Sequence, residues 1–327
     1  MQIIIWSVLI IVNVSLIFLL LKLYLNSERM SKYKNDHQVI IARKIIHFWF
    51  VFALYFFLFV LAALFIFPVV WMIMNSFKTH AQINADLSTW RTFLPTNLNI
   101  GEWFQSYIKL FSSFQEFGRS IINSIIYSSI TISIVLLINS LAGYAIAKFR
   151  FPGSTVIVTI IILILIIPVE TSIVPLYVIL KKMGLLTENL RIVGYLIPGF
   201  CSPFYIFMFR AYFLGIPKEL EEAAYIDGAS RIKTFFSIII PNSLPVFATV
   251  SIFTFMGTWN EYIFAQLMFS NPLQQPLQVY LQLINNFNPK DMGMIMASLT
   301  FSTIPIALVY IFSQRYIVEG VAFTGLK

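Results

Sequence analysis

Between Phe48 and Asn75 no side chain is charged, and most are Phe, Leu, Val, Ala or Ile. About 20 apolar residues in a helix cross the hydrocarbon core of a bilayer. The other stretches of this character are about Ile3–Leu25, Ile121–Ala147, Phe151 to the first charge at Glu170, Ile192–Phe209, Pro241 to Glu261, and Met292–Gln314. In lipid every backbone amide must find its partner inside the protein, so uncharged runs of this length predict helices. Charged residues make up 11% of the 327, against roughly 25% in ordinary globular domains. That excludes a soluble enzyme, a disordered tail and a nucleic-acid-binding module. The expected fold class is an all-α polytopic membrane protein with seven spans.

Lysine and arginine set the orientation. Residues Ile3 to Leu21 are uncharged, no basic residue precedes them, and Lys22 and Arg29 follow. That order predicts a retained helix with its N-terminus outside, not a cleaved leader. Alternating from there places Lys22, Arg29, Lys32, Lys34, Arg43, Lys44, Lys148, Arg150, Arg210, Lys218, Arg231, Lys233, Arg315 and Lys327 inside, 14 of the 22 basic residues. Four of the others lie in or beside the long outside loop of residues 76–120, where the rule is weak. The C-terminus is then cytoplasmic. The net charge of +8 reads as loop charge and needs no nucleic-acid partner. The Arg29–Lys44 stretch reads as a topology determinant, with anionic lipid as the alternative partner. The same polar stretch, from Asn26, separates residues 1–45 from a main domain of 46–327. The outside loop is expected to carry one short surface helix, ending near Phe114.

Several chemistries find no residues. Cys201 has no partner for an internal disulfide and reads as a small buried hydrophobe. His37, His47 and His80 are scattered and predict no metal site. There is no G-x-x-x-x-G-K-[ST] phosphate loop and no G-x-S-x-G nucleophile turn. The chain itself is therefore expected to be no enzyme and to bind no cofactor.

The inside loop 210–241 carries the sharpest signal. Pro217 suits the start of a helix, and Glu219, Glu221 and Glu222 follow where the helix dipole favours anions. Ala223 and Ala224 give a small, smooth face of high helix propensity. Asp227-Gly228 predicts a stop with glycine in the left-handed cap. Ile232, Phe235, Phe236 and Ile239 then form an apolar stripe, and Pro241 opens the next span. The expected product is a helix–turn–helix on the inner membrane face. Its acidic first helix can dock in a partner's groove, or simply join two spans.

Glu222-Ala223-Ala224, three residues, Gly228, nine residues, then Ile238-x-Ile240-Pro241 matches the EAA motif of the membrane subunits of binding-protein-dependent ABC importers. Ile240 stands where that family usually has Leu. Further likenesses are Pro68–Lys78, Asn123-Ser124, Leu141–Gly153, Ile167-Pro168 with Ile173–Tyr177 and Lys181–Leu185, Trp259–Tyr262, and Gln314–Gly320. Together they resemble the carbohydrate branch, and within it the type of the smaller maltose permease, over roughly residues 60–327. The resemblance implies a six-helix core in a bacterial cell membrane, paired with a homologous second permease subunit. It also implies two cytoplasmic ATPase subunits that hold ATP and Mg, and an extracellular solute-binding protein. Glu221, Glu222, Ala223, Ala224, Asp227, Gly228 and Arg231 become the ATPase-coupling residues. The cargo it implies is a sugar or oligosaccharide. A phosphorylated polyol or a peptide, or an ATP-independent carrier, are the alternatives. The span within residues 1–45 is additional to the family core, and the Val321–Lys327 ending departs from the family's tail.

Two acids interrupt the spans on the outer side, Glu170 after Pro168 and Glu261 after Trp259-Asn260. A membrane acid is costly and normally faces protein or water. Glu170, Trp259, Asn260 and Glu261 are therefore candidates for the pathway or its outer mouth. The plainer reading makes the acids interfacial and Trp259 and Tyr262 belt aromatics.

Overall fold

The computed structural model describes residues 37–94, 100–149 and 151–324. The expected first span, Ile3–Leu25, and residues 26–36 of the linker lie outside the described residues. Among the described residues there are helices and turns and no strand. In chain order the α-helices are α1 (His37–Ser76), α2 (His80–Asp86), α3 (Gln105–Ser113), α4 (Phe117–Lys148), α5 (Ser154–Ile164), α6 (Val169–Lys182) and α7 (Arg191–Leu196). They continue as α8 (Pro203–Leu214), α9 (Glu219–Ile226), α10 (Arg231–Thr234), α11 (Leu244–Trp259), α12 (Ile263–Met268), α13 (Leu277–Asn285) and α14 (Met292–Thr324). Two compact units divide at Met74, the second being Asn75–Lys327.

The described part of the first unit is α1 up to Met74. Its aromatic side chains point outward, with Phe59 70% and Phe65 75% exposed. In water this surface would drive aggregation; in a bilayer it faces solvent of its own kind.

Three straight segments are long and apolar enough to span: His47–Ser76, Phe117–Lys148 and Met292–Gln314. The other three expected spans are bent. Ser154–Ile164 and Val169–Lys182 meet at 102°, Arg191–Gly199 and Pro203–Leu214 at 42°, and Arg231–Ile239 and Pro241–Trp259 at 48°. A proline stands at each break, Pro168, Pro203 and Pro241, and each removes a backbone donor. Ser202 before Pro203 is extended, as proline favours, whereas Ile240 before Pro241 stays helical. A broken helix leaves polar backbone in an apolar medium. At the second break Asn139 of α4 answers it. Its Nδ2 donates to the Phe200 carbonyl at 2.8 Å, and its Oδ1 accepts from the Ser202 amide at 2.8 Å. Cys201, expected to be buried, is exposed at this break, where it lies between the two helices and not within either.

In the second unit α4 makes its most extensive pairing with α8, and α11 packs against both α4 and α14. Gly143 allows the α4–α8 approach. A Cβ there would stand 2.6 Å from Phe209 Cβ and 3.0 Å from the Arg210 amide nitrogen. Small residues at such crossings are how membrane helices gain close packing. Val135, Tyr144, Phe209, Phe213, Phe235, Ile239 and Val250 belong to one core, beside the 210–241 loop, and Tyr127, Tyr195, Phe264, Met268 and Phe269 belong to another.

The outside loop holds more structure than the single helix expected. α2 is closed by a capping box, with the Thr79 amide donating to Gln82 Oε1 at 2.9 Å and the Gln82 amide to Thr79 Oγ1 at 3.4 Å. α3 packs on α14, and the Ser106 hydroxyl donates to the Lys78 carbonyl at 2.7 Å. Lys109 pairs with Asp291 just before α14. Burial opposes ionisation of Asp291, but hydrogen bonds from Lys109 and from the Met294 and Gly293 amides outweigh it and hold the carboxyl below its ordinary range. Local sequence missed this order because the ties are long-range.

Lys78 anchors the loop. It is 1% exposed, and its Nζ donates to Asp86 Oδ2 at 3.0 Å and to the Arg91 carbonyl at 2.7 Å. Removing one partner of a buried pair leaves an uncompensated charge, at a cost of about 3–5 kcal/mol. Asp86→Ala should therefore lower the thermal unfolding midpoint of the purified protein in detergent. The double variant Lys78→Met/Asp86→Leu should recover most of the loss in the same assay.

Candidate coupling and pathway sites

The loop expected to carry the signal folds as a helix, a turn and a second helical segment. α9 has Glu219, Glu221 and Glu222 in its first turn. It ends in a Schellman motif, the Ala229 amide donating to the Ala224 carbonyl at 2.9 Å and the Gly228 amide to the Tyr225 carbonyl at 3.1 Å. Gly228 sits at φ +78°. Ser230 then caps α10, its Oγ accepting from the Lys233 amide at 3.3 Å. The helix continues as a π-turn over Phe235–Ile239.

The expected coupling residues divide by face. Glu222, Ala223, Asp227, Gly228 and Arg231 are exposed, whereas Glu221 and Ala224 are buried. Glu221, which the resemblance puts among the coupling residues, turns its carboxylate into the protein. Lys148 Nζ lies 2.7 Å from Glu221 Oε1, and the Tyr144 hydroxyl donates to Oε2 at 3.0 Å. Lys148 also donates to the Ile216 carbonyl at 2.8 Å. Both ionised side chains are under a tenth exposed. The inner end of α4 is thus pinned to the buried face of α9. Arg231 extends the tie, its guanidinium lying 4.6 Å from the centre of the Phe149 ring just past α4. The apolar stripe splits likewise. Phe235 and Ile239 enter the inner core, whereas Ile232 is 70% and Phe236 50% exposed. Two of the four residues that spacing on an ordinary helix places on one apolar face therefore lie outside the core.

The outer candidates do not converge. Glu170 follows the 102° break and occupies the exposed first turn of α6, so it does not end a straight span as its position in the sequence suggested. Trp259 is neither a belt aromatic nor free to stack on cargo. It is fully buried at the end of α11, its indole donating to the Ser302 carbonyl at 3.2 Å and its ring stacked on Phe255. Asn260 is exposed and donates back to the Met256 carbonyl at 2.9 Å. Glu261 is half-buried and accepts from the Phe264 amide at 2.8 Å, capping α12.

Of these four, Glu261 lines a cavity. That cavity measures about 460 Å³ and is also lined by Thr131, Tyr195, Tyr205, Thr254 and Thr258. Sequence reasoning passed over these hydroxyls because they come from segments far apart in the chain, and only the fold brings them to one place. Asn123 and Ser124 have a clear task nearby. Asn123 donates to the Leu273 and Gln275 carbonyls, and Ser124 Oγ accepts from the Leu277 amide at 2.7 Å, so α4 holds the outer segment before α13.

Residues 139–322 match the family described as the binding-protein-dependent transport system inner membrane component. The chain belongs to that family. It is 31% identical to the probable ABC transporter permease protein YurM of Bacillus subtilis, over 83% of this chain and 87% of that one. It is 30% identical to the sulfoquinovosyl glycerol transport system permease protein SmoH of Agrobacterium fabrum, over 80% of this chain and 89% of that one. The fold superposes on a chain from a bacterial ABC transporter that imports the acidic polysaccharide alginate, with a TM-score of 0.72 and 26% identity, covering 84% of this chain and 98% of that one. The all-α, multi-pass permease fold expected from the sequence is therefore the fold of this chain.

Within this family member, Glu221→Gln or Lys148→Met should each destabilise the loop by about 3–5 kcal/mol, because each strands a buried charge. Pairing the two changes should restore most of that stability, as read by protease resistance of the 210–241 segment. Gly228→Val should impair transport more than Gly228→Asn. No atom lies within 4 Å of the added Cβ, so the penalty is the left-handed backbone, which Asn tolerates and Val does not. Uptake rates in proteoliposomes, compared at equal protein content, check the order.

Proposed function

We propose that this chain is one of two homologous permease subunits of an ATP-driven importer for a saccharide, and that α9 takes up the motion of a cytoplasmic ATPase subunit. One observation carries the coupling assignment. The loop 210–241 exposes Ile226 at 86% and Ile232 at 70%, beside the carboxylates of Glu222 and Asp227. The charge pattern of the sequence favours an inside position for this loop, where water would meet those side chains unless a protein covers them. A cleft with an apolar floor and a basic rim would satisfy both components.

On this reading two ATPase subunits hold ATP and Mg, and this chain binds neither. An extracellular solute-binding protein delivers cargo, and the N-terminus is outside and the C-terminus cytoplasmic. The buried Lys148–Glu221 pair makes α9 and the inner end of α4 move together, so displacement of the loop reaches a helix that runs the depth of the membrane. Transmission requires that the ATPases contact the loop differently in their two states. The saccharide class rests on what SmoH and the alginate importer are named for.

The test is Glu222→Lys, which reverses charge on the exposed face without touching the buried pair. Co-purification should show loss of the ATPase subunits, and ATP-dependent uptake should fall at least tenfold, with membrane insertion unchanged. Retention of the ATPases together with normal uptake would refute the docking assignment.

A further inference from the structure

A second concavity of about 460 Å³ lies between α12 and α13, lined in part by Tyr262, Gln266, Gln275, Gln282, Asn286 and Phe287. None of the residues lining it carries a charge. Its volume falls within the range of small-molecule sites, but its walls are richer in amides than most such sites. Each carboxamide offers donors and an acceptor on one planar group. A sugar hydroxyl also donates and accepts, so amides set around a concavity match a ring of hydroxyls. Tyr262 and Phe287 add apolar ring faces, against which the C–H face of a pyranose can lie.

One wall residue is left unsatisfied. Gln275 is 8% exposed, and its Nε2 donates to the Phe269 carbonyl at 3.3 Å. Its Oε1 is buried and has no hydrogen-bond partner among the described residues. A buried acceptor without a donor is unfavourable, and a ligand hydroxyl or a small shift of this wall would supply one.

The position also favours cargo. α12 presents different residues to two concavities: Tyr262 and Gln266 line this one, and Glu261 and Phe264 line the hydroxyl-rich cavity described above. Sequence neighbours at the start of α12 thus line both concavities. Neither concavity is lined by Lys or Arg, and the second contains a carboxylate. An anionic sugar would meet no compensating charge in the first and a like charge in the second.

Building on the permease reading, we infer that the pocket between α12 and α13 is a receiving subsite for an uncharged saccharide, the Gln and Asn side chains reading its hydroxyls. In this it would differ from the alginate importer, whose cargo is acidic.

The experiment uses the complete assembly of both permeases and both ATPases in nanodiscs, without the binding protein. Maltotriose, cellotriose and arabinotriose are the neutral probes, trigalacturonate is the acidic one, and binding is followed by saturation-transfer NMR and calorimetry. At least one neutral trisaccharide should bind, trigalacturonate should not, and Gln266→Ala/Gln282→Ala should weaken the neutral probe at least tenfold. Gln282→Lys should admit trigalacturonate. The inference fails if no neutral probe binds, if the double variant binds as tightly as the native chain, or if trigalacturonate binds the native chain as well as the neutral sugars do. It also fails if the double variant loses docking of the ligand-free binding protein but keeps the trisaccharide, since the pocket would then be a protein contact. Failure of the permease reading looks different: the native chain would not retain ATPase subunits at all.

Discussion

Hydrocarbon offers no hydrogen bonds, so each polar group that this chain carries into the membrane has to be answered by another part of the same fold. Three of the six described spans or span pairs are broken, and breaks are where the demand is greatest. Asn139 shows the solution at one of them, with an amide on an intact helix serving both a carbonyl and an N–H of the interrupted one. The consequence reaches beyond stability. A bent span tied to a straight one is a rigid unit, and rigidity is what allows a push at one membrane face to be felt at the other.

The inner face uses the same logic with charge. Lys148 and Glu221 are costly to bury singly and tolerable only as a pair, so the end of α4 and α9 have little freedom to part. The face of α9 opposite that pair keeps Glu222 and Asp227 in the open. One short helix thereby has a side committed to its own subunit and a side available to another.

Around the two concavities hydroxyls and amides predominate. Thr131, Tyr195, Tyr205, Thr254 and Thr258 come from four different helices to line one cavity, and the amides of α12, α13 and their flanks line its neighbour. Side chains of this type bind polyhydroxylated molecules without a large desolvation penalty. Ion pairing thus holds α9 to the end of α4, and mostly neutral polar groups line the concavities.

The sequence by itself determined the solvent, the helical class and the place of the coupling loop. Uncharged runs such as Phe48–Asn75 admit one answer in lipid, and Glu222-Ala223-Ala224 with Gly228 encodes a helix and its stop through local propensities that act over a few residues. Tertiary structure decided which side of α9 faces the protein, that Trp259 is core, and that Glu261 lines a cavity. It also decided that the amides of α12, α13 and their flanks line one concavity and that hydroxyls from four helices line its neighbour. The physical reason is that these outcomes turn on proline bends and on contacts between residues far apart in the chain. A 102° bend or a π-turn re-aims every side chain beyond it, and no local periodicity records where the re-aimed side chains will meet.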